Sequence, residues 1–118
     1  MKEEREFFDV TTIPWRDLGG GLSERILAGD PGNGNYTRML RFAPGTITPD
    51  TLTHPFWEEV WIVTGSIIDL RLDTEFGAGT YACRPPGMEH GPWSSPNGCV
   101  TFEVRYHMAS APTGTPAS

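Results

Sequence analysis

Fourteen glycines and eleven prolines punctuate a chain of 118 residues, and this density of breakers constrains the fold more than any other feature. Proline fixes φ and removes a backbone donor, while glycine accepts turns that other residues resist. What lies between the breakers is short and rich in β-branched and aromatic residues. Tyr36 to Phe42 alternates apolar with polar residues and closes at Pro44-Gly45. Glu59 to Thr64 is a compact run ending at Gly65, and Ser66 to Leu72 follows as the second arm of a hairpin pivoting on that glycine. Thr80 to Cys83 stops at Pro85-Pro86-Gly87, and Val100 to Tyr106 alternates strictly with period two. At least five strands with no convincing amphipathic helix predict one all-β domain, an antiparallel sandwich or barrel.

Residues 1–35 read as an irregular lead-in with a possible dimer-contact strand, residues 36–108 as the barrel, and residues 109–118 as a frayed tail of Pro, Ser, Thr and Ala. Within the lead-in, Gly19-Gly20-Gly21 marks a loop and Asp30-Pro31-Gly32-Asn33-Gly34 a turn, with Ser23 to Ala28 either a short strand or one helical turn. Nine Lys and Arg scattered among fifteen acids give a net charge of −6, which speaks against a nucleic-acid partner. No apolar stretch reaches the roughly 18 residues of a membrane span. The charged start, Met1 to Glu6, lacks the apolar core of a signal peptide, so a cytoplasmic location with Cys83 and Cys99 as reduced thiols is expected. Cys83 is expected as a small core residue. Neither cysteine belongs to a CxxC pair, and a thiolate zinc site is not expected.

Histidine is scarce, with three in the chain, and two of them lie beside turn signals at strand ends. One opens the segment His54-Pro55-Phe56-Trp57-Glu58-Glu59-Val60-Trp61-Ile62-Val63-Thr64-Gly65, and the other closes Gly79 to His90. In the latter, Gly79, Pro85, Gly87 and His90 fit a Gly, then five residues on a Pro-x-Gly-x-x-His, which resembles the second motif of the cupin superfamily. Counting back from Gly65, Glu58 and His54 fall on the glutamate and second histidine of the first cupin motif, whose first histidine is Leu52 here. The stretch Cys83-Arg84-Pro85-Pro86-Gly87-Met88-Glu89-His90-Gly91-Pro92 is similar to the cupin domains of zinc-binding anti-sigma factors and to small diketone-cleaving dioxygenases. The resemblance implies an RmlC-like jelly-roll barrel, one divalent metal held by His54, Glu58 and His90, and a homodimer formed through sheet edges and residues 1–20.

Two neutral imidazoles and a carboxylate suit Fe(II), Mn(II), Ni(II) or Zn(II), and with Leu52 silent they form a 2-His-1-carboxylate face with open positions. Fe(II) is the first expectation. A closed zinc site needs a fourth protein ligand, for which Asp50 and Glu103 are the candidates. His54 and Glu58 share a face of an extended segment, with Phe56, Val60 and Ile62 lining an apolar interior and Glu59, Trp61 and Val63 pointing away. A bulge at Pro55 would exchange Glu58 for Glu59. Arg84 is either an anion anchor in the pocket or half of a surface ion pair. Glu103 is either an interior acid or part of a polar outer face, opposite Val100, Phe102, Val104 and Tyr106. His107 is expected to be exposed. The leading functional reading is a non-haem Fe(II) dioxygenase acting on a small diketone-like or hydroxylated aromatic substrate. A non-redox metal-dependent isomerase, lyase or hydrolase, and a non-catalytic metal- or ligand-sensing cupin, are the alternatives.

Overall fold

The computed structural model describes residues 2–108. Nine strands run in the order β1 (Arg16–Gly19), β2 (Leu22–Asp30), β3 (Asn35–Phe42), β4 (Thr46–Thr48), β5 (Trp57–Asp69), β6 (Thr74–Gly77), β7 (Tyr81–Arg84), β8 (Trp93–Ser95) and β9 (Cys99–Tyr106). Single 3₁₀ turns at Val10–Thr12 and Pro31–Asn33 are the only helical elements among the described residues. Every strand pairing is antiparallel. The hydrogen-bonded order is β1-β2-β3-β9-β5-β8-β4, with β6 and β7 also on β5. This is the all-β barrel architecture expected from the sequence.

Three local expectations change. Residues 16–30, read as part of an irregular lead-in, form β1 and β2, and β2 pairs with β3 over most of its length. The sheet therefore begins near residue 16 rather than 36. The glycine run marks a loop as expected: Gly20 and Gly21 form the turn that joins β1 to β2. Gly65 does not turn the chain either: β5 runs straight through it. Its φ of 76° and a register shift between Ile62 and Thr64 let the strand bend past β9. The reversal comes later, where Asp69 Oδ1 accepts N–H bonds from Arg71 (2.9 Å) and Leu72 (3.0 Å). Cys83 lies exposed, and Cys99 is the buried cysteine. Residues 109–118, expected as a frayed tail, lie outside the described residues.

The apolar core is compact: Leu40, Phe42, Ile62, Ile67 and Cys99, flanked by Leu22, Phe76 and Trp93. Alternation explains it, since Tyr36, Leu40 and Phe42 share one face of β3 and Val60 and Ile62 one face of β5. The rest of the interior is polar. Glu24, Arg38, Glu58, Thr101 and Glu103 are all buried on inward faces. On β9 the inward residues are Thr101, Glu103 and Arg105, while the more apolar Val100, Phe102, Val104 and Tyr106 face outward. Outside, Trp57 stacks on Tyr106, and the Glu59 carboxylate accepts hydrogen bonds from the phenols of Tyr81 and Tyr106.

Candidate metal centre

Two loops meet at one end of the barrel. Leu52 and His90 exchange a pair of backbone hydrogen bonds of 2.8 and 2.9 Å, and the Gly87 N–H donates to the His54 carbonyl at 2.9 Å. These bonds set the His54 and His90 rings 4.8 Å apart, tilted by 48°. Glu58, the second residue of β5, points inward between them. One ligand atom from each of His54, Glu58 and His90 falls within 4.8 Å of the others, and His54 Nε2 is 4.0 Å from Glu58 Oε2. The register of β5 thus turns Glu58 inward and Glu59 to the outer surface.

Strand register explains what surrounds the carboxylate. Glu58 lies opposite Arg84 on β7 and opposite Arg105 on β9, so a guanidinium flanks it on either side. Arg84 Nη1 donates to Oε1 at 2.8 Å, and Arg105 approaches Oε2 with Nε at 2.7 Å and Nη2 at 2.6 Å. The pattern continues inward: Glu103 bonds Arg38 Nε (2.8 Å) and Thr101 Oγ1 (2.8 Å), and Arg38 Nη1 reaches Glu24 at 3.0 Å. Burial opposes the charge on Glu58, yet Arg105 and Arg84 outweigh it and hold the carboxyl below its ordinary range. Burial pushes both imidazoles the other way, toward neutrality, aided at His90 by Arg84. Neutral imidazole and ionised carboxylate are the protonation states that a metal needs.

The residues present fit a divalent cation. His54 Nε2 is buried with no hydrogen-bond partner, a state that leaves a polar atom uncompensated unless something binds it. His90 Nδ1 lies 3.4 Å from the Met88 carbonyl, which favours the tautomer presenting Nε2 to the centre. Glu58 has about four lone-pair sites, and three accept guanidinium N–H groups, leaving one. Ligands sharing one ion at about 2.1 Å sit about 3 to 3.5 Å apart. Holding one ion would therefore require the imidazoles to draw in toward the clamped carboxylate. Neither proposed fourth ligand joins the group: Glu103 is committed to Arg38 and Thr101, and Asp50 lies outside it.

A cavity of about 360 Å³ opens from this centre. Val60, Ile62, Arg84 and Glu103 line it, together with Leu40, Phe42, Ile67 and Trp93. Glu103 is thus an interior acid. Phe56 corrects the expectation, for it is not in the wall. It stacks on the His54 ring (centroids 4.8 Å apart, planes 7° apart), with the Arg105 guanidinium 5.1 Å from its centroid. Pro55 and the bend before β5 turn it behind the ligand instead of beside it. His107 is exposed, its ring edge against Phe56. Sequence reasoning missed Arg105, Arg38, Glu24 and Tyr36. The signal was there: Thr101, Glu103 and Arg105 repeat at period two, as do Tyr36 and Arg38.

A model of the ChrR cupin-like domain family matches residues 3–109. No curated protein matches the chain. Among solved structures, an RmlC-like cupin from Shewanella frigidimarina is 20% identical, with 88% of this chain and 91% of that one aligned at a TM-score of 0.71. The anti-sigma factor ChrR of Rhodobacter sphaeroides, solved in complex with SigE, is 23% identical over 83% of this chain and 51% of its own, with a TM-score of 0.64. This chain thus spans about half of ChrR. An acetylacetone dioxygenase from Acinetobacter johnsonii is 15% identical over 87% and 73% of the two chains, with a TM-score of 0.66. At these identities the structures speak for the fold, and the family match over nearly the whole described length makes this chain a cupin of the ChrR cupin-like family.

Proposed function

We propose that this cupin is a metal-dependent enzyme, a non-haem Fe(II) dioxygenase acting on a small diketone-like or hydroxylated aromatic molecule. The observation that carries the reading is a two-imidazole, one-carboxylate group with an orphaned His54 Nε2, opening on a mainly apolar cavity. Bound there, Fe(II) would supply a Lewis acid and the electrons for activating O₂. The chain's own residues do the rest. Arg84 and Arg105 fix the carboxylate, the Met88 carbonyl orients His90, and Phe56 backs His54. Val60, Ile62 and Trp93 exclude water and seat the apolar body of the substrate. The acetylacetone dioxygenase among the structural neighbours supports this reading.

The family match to ChrR, an anti-sigma factor, favours a second reading in which the domain senses a metal or ligand without turnover. A non-redox isomerase, lyase or hydrolase using Zn(II), Mn(II) or Ni(II) at the same ligands is the third. Metal analysis of protein purified without added metal, followed by O₂ uptake with a panel of diketones and phenols, separates them. Iron with substrate-linked O₂ consumption supports the dioxygenase. Zinc or nickel with product but no O₂ use supports the Lewis-acid enzyme, and tight metal without turnover supports the sensor.

Two further expectations belong to this proposal. β1 is an edge strand with four exposed residues, and Trp61, Val63 and Tyr81 expose apolar surface on the outer face, features that suit a homodimer. Light scattering across a concentration series tests it, and a monomer at all concentrations refutes it. A cytoplasmic location accords with two free thiols. Among the described residues no helix is long and apolar enough to cross a membrane.

A further inference from the structure

The cavity wall is electrically balanced before any cation enters. Beyond Arg38, Arg84 and Arg105, which face Glu58 and Glu103, it carries Arg71 near Asp69 and Glu89. Behind Arg38 the buried Glu24 is matched in turn by Arg16, so five guanidiniums meet five carboxylates. Metal-holding imidazoles are neutral, so a bound dication leaves the enclosed site with two uncompensated positive charges. Burying unbalanced charge is costly, and a site of this kind favours a ligand whose negative charge reduces the excess.

The arginines differ in what they have left to offer. Arg105 commits Nε and Nη2 to Glu58 and Nη1 to the Tyr36 hydroxyl. Arg38 is held between Glu103 and Glu24, away from the ligand group. Arg71 sits half-exposed against Glu89. Arg84 uses only Nη1, on Glu58, and its guanidinium carbon lies 5.3 Å from the Trp93 ring centroid, between the centre and the apolar wall.

We infer that the molecule bound beside the metal is a small organic monoanion, its charge on oxygen and its body apolar, and that Arg84 receives the charged end. This rests on the proposed metal centre and narrows its substrate class to molecules ionised when bound. Benzoate and benzamide are suitable probes because they match in size and differ in charge. Calorimetric titration of the zinc-loaded protein should show benzoate binding at least about tenfold more tightly, the effect of one charge-assisted hydrogen bond. The preference should shrink to a few-fold in metal-free protein. Compared at equal zinc loading, Arg84→Gln should reduce it about tenfold, while Arg84→Lys should keep part of it.

Equal binding of the two probes to the zinc-loaded wild type overturns the inference, as does no benzoate binding at millimolar concentration. A preference that neither zinc removal nor Arg84→Gln alters also overturns it. If Arg84→Gln fails to fold, the wild-type comparison with and without zinc still decides. Metal analysis is read first: a protein that retains no zinc overturns the metal centre and this inference together, whereas bound zinc without anion preference overturns this inference alone.

Discussion

Replacing Glu58 by Gln tests the centre most directly, because it removes one charge and little volume. The carboxylate is buried and engaged by Arg84 and Arg105 at 2.6 to 2.8 Å. Glutamine offers one carbonyl oxygen, and its amide N–H groups would face a guanidinium. Removing one partner of a buried ion pair costs about 3–5 kcal/mol. Arg105 keeps the Tyr36 hydroxyl and Glu103, the latter at 3.6 Å, so the lower end is expected. With an unfolding entropy of about 2.1 cal/mol/K per residue, a chain this long loses about 4 °C per kcal/mol, or about 12 °C in all. Glu59→Gln is the internal control. Its carboxylate lies on the outer face against two phenols, and its loss should cost under about 1 kcal/mol. Thermal unfolding of both variants without metal gives the stability difference, and metal retained after dialysis gives the ligand role. Melting temperatures within about 2 °C of each other, or full metal binding by Glu58→Gln, would refute the reasoning.

The metal-free protein should lose stability on acidification from about pH 6.5. Burial holds the His54 and His90 imidazoles below 6.5 in the fold, so the unfolded chain binds more protons there and stability drops as the pH is lowered; His54→Gln should flatten the slope of urea midpoints against pH. Below about 4.5 a second loss should follow as the Glu58 carboxyl, held low by Arg105 and Arg84 against the cost of burial, becomes protonated. Gly65→Ala should destabilise by more than about 1 kcal/mol in urea titration, because its φ is positive and a Cβ there would lie 2.2 Å from the Gly98 carbonyl oxygen. A thiol reagent should label Cys83 in the native protein and Cys99 only on unfolding, since burial both shields the Cys99 thiol and pushes its pKa up to about 11.

The three residues of the candidate metal group were legible because their signals are local. Pro85-x-Gly87-x-x-His90 prescribes a turn, and the period of β5 turns Glu58 inward; His54 precedes the bend at Pro55 and Phe56, so motif spacing rather than strand alternation pairs it with Glu58. The facing of β9 was not legible from hydropathy. Alternation separates two faces without saying which is inside, and the apolar set Val100, Phe102, Val104 and Tyr106 is the outer one. A charged interior inverts the usual rule, and only the neighbouring arginines reveal that Glu103 is compensated within it. Gly65 misled for a related reason: positive φ serves a bent strand as well as a hairpin, and the choice depends on β9, far off in sequence.

β5 pairs with β6, β7, β8 and β9, touching the charged end of the cavity with one half and the apolar end with the other. A seam shared by so many partners has no independent way to come apart. Amides in its middle should exchange with deuterium only when the whole domain opens. By the same logic, a circular permutation that cuts there would divide the molecule, whereas one that cuts between β2 and β3 would sever only a turn.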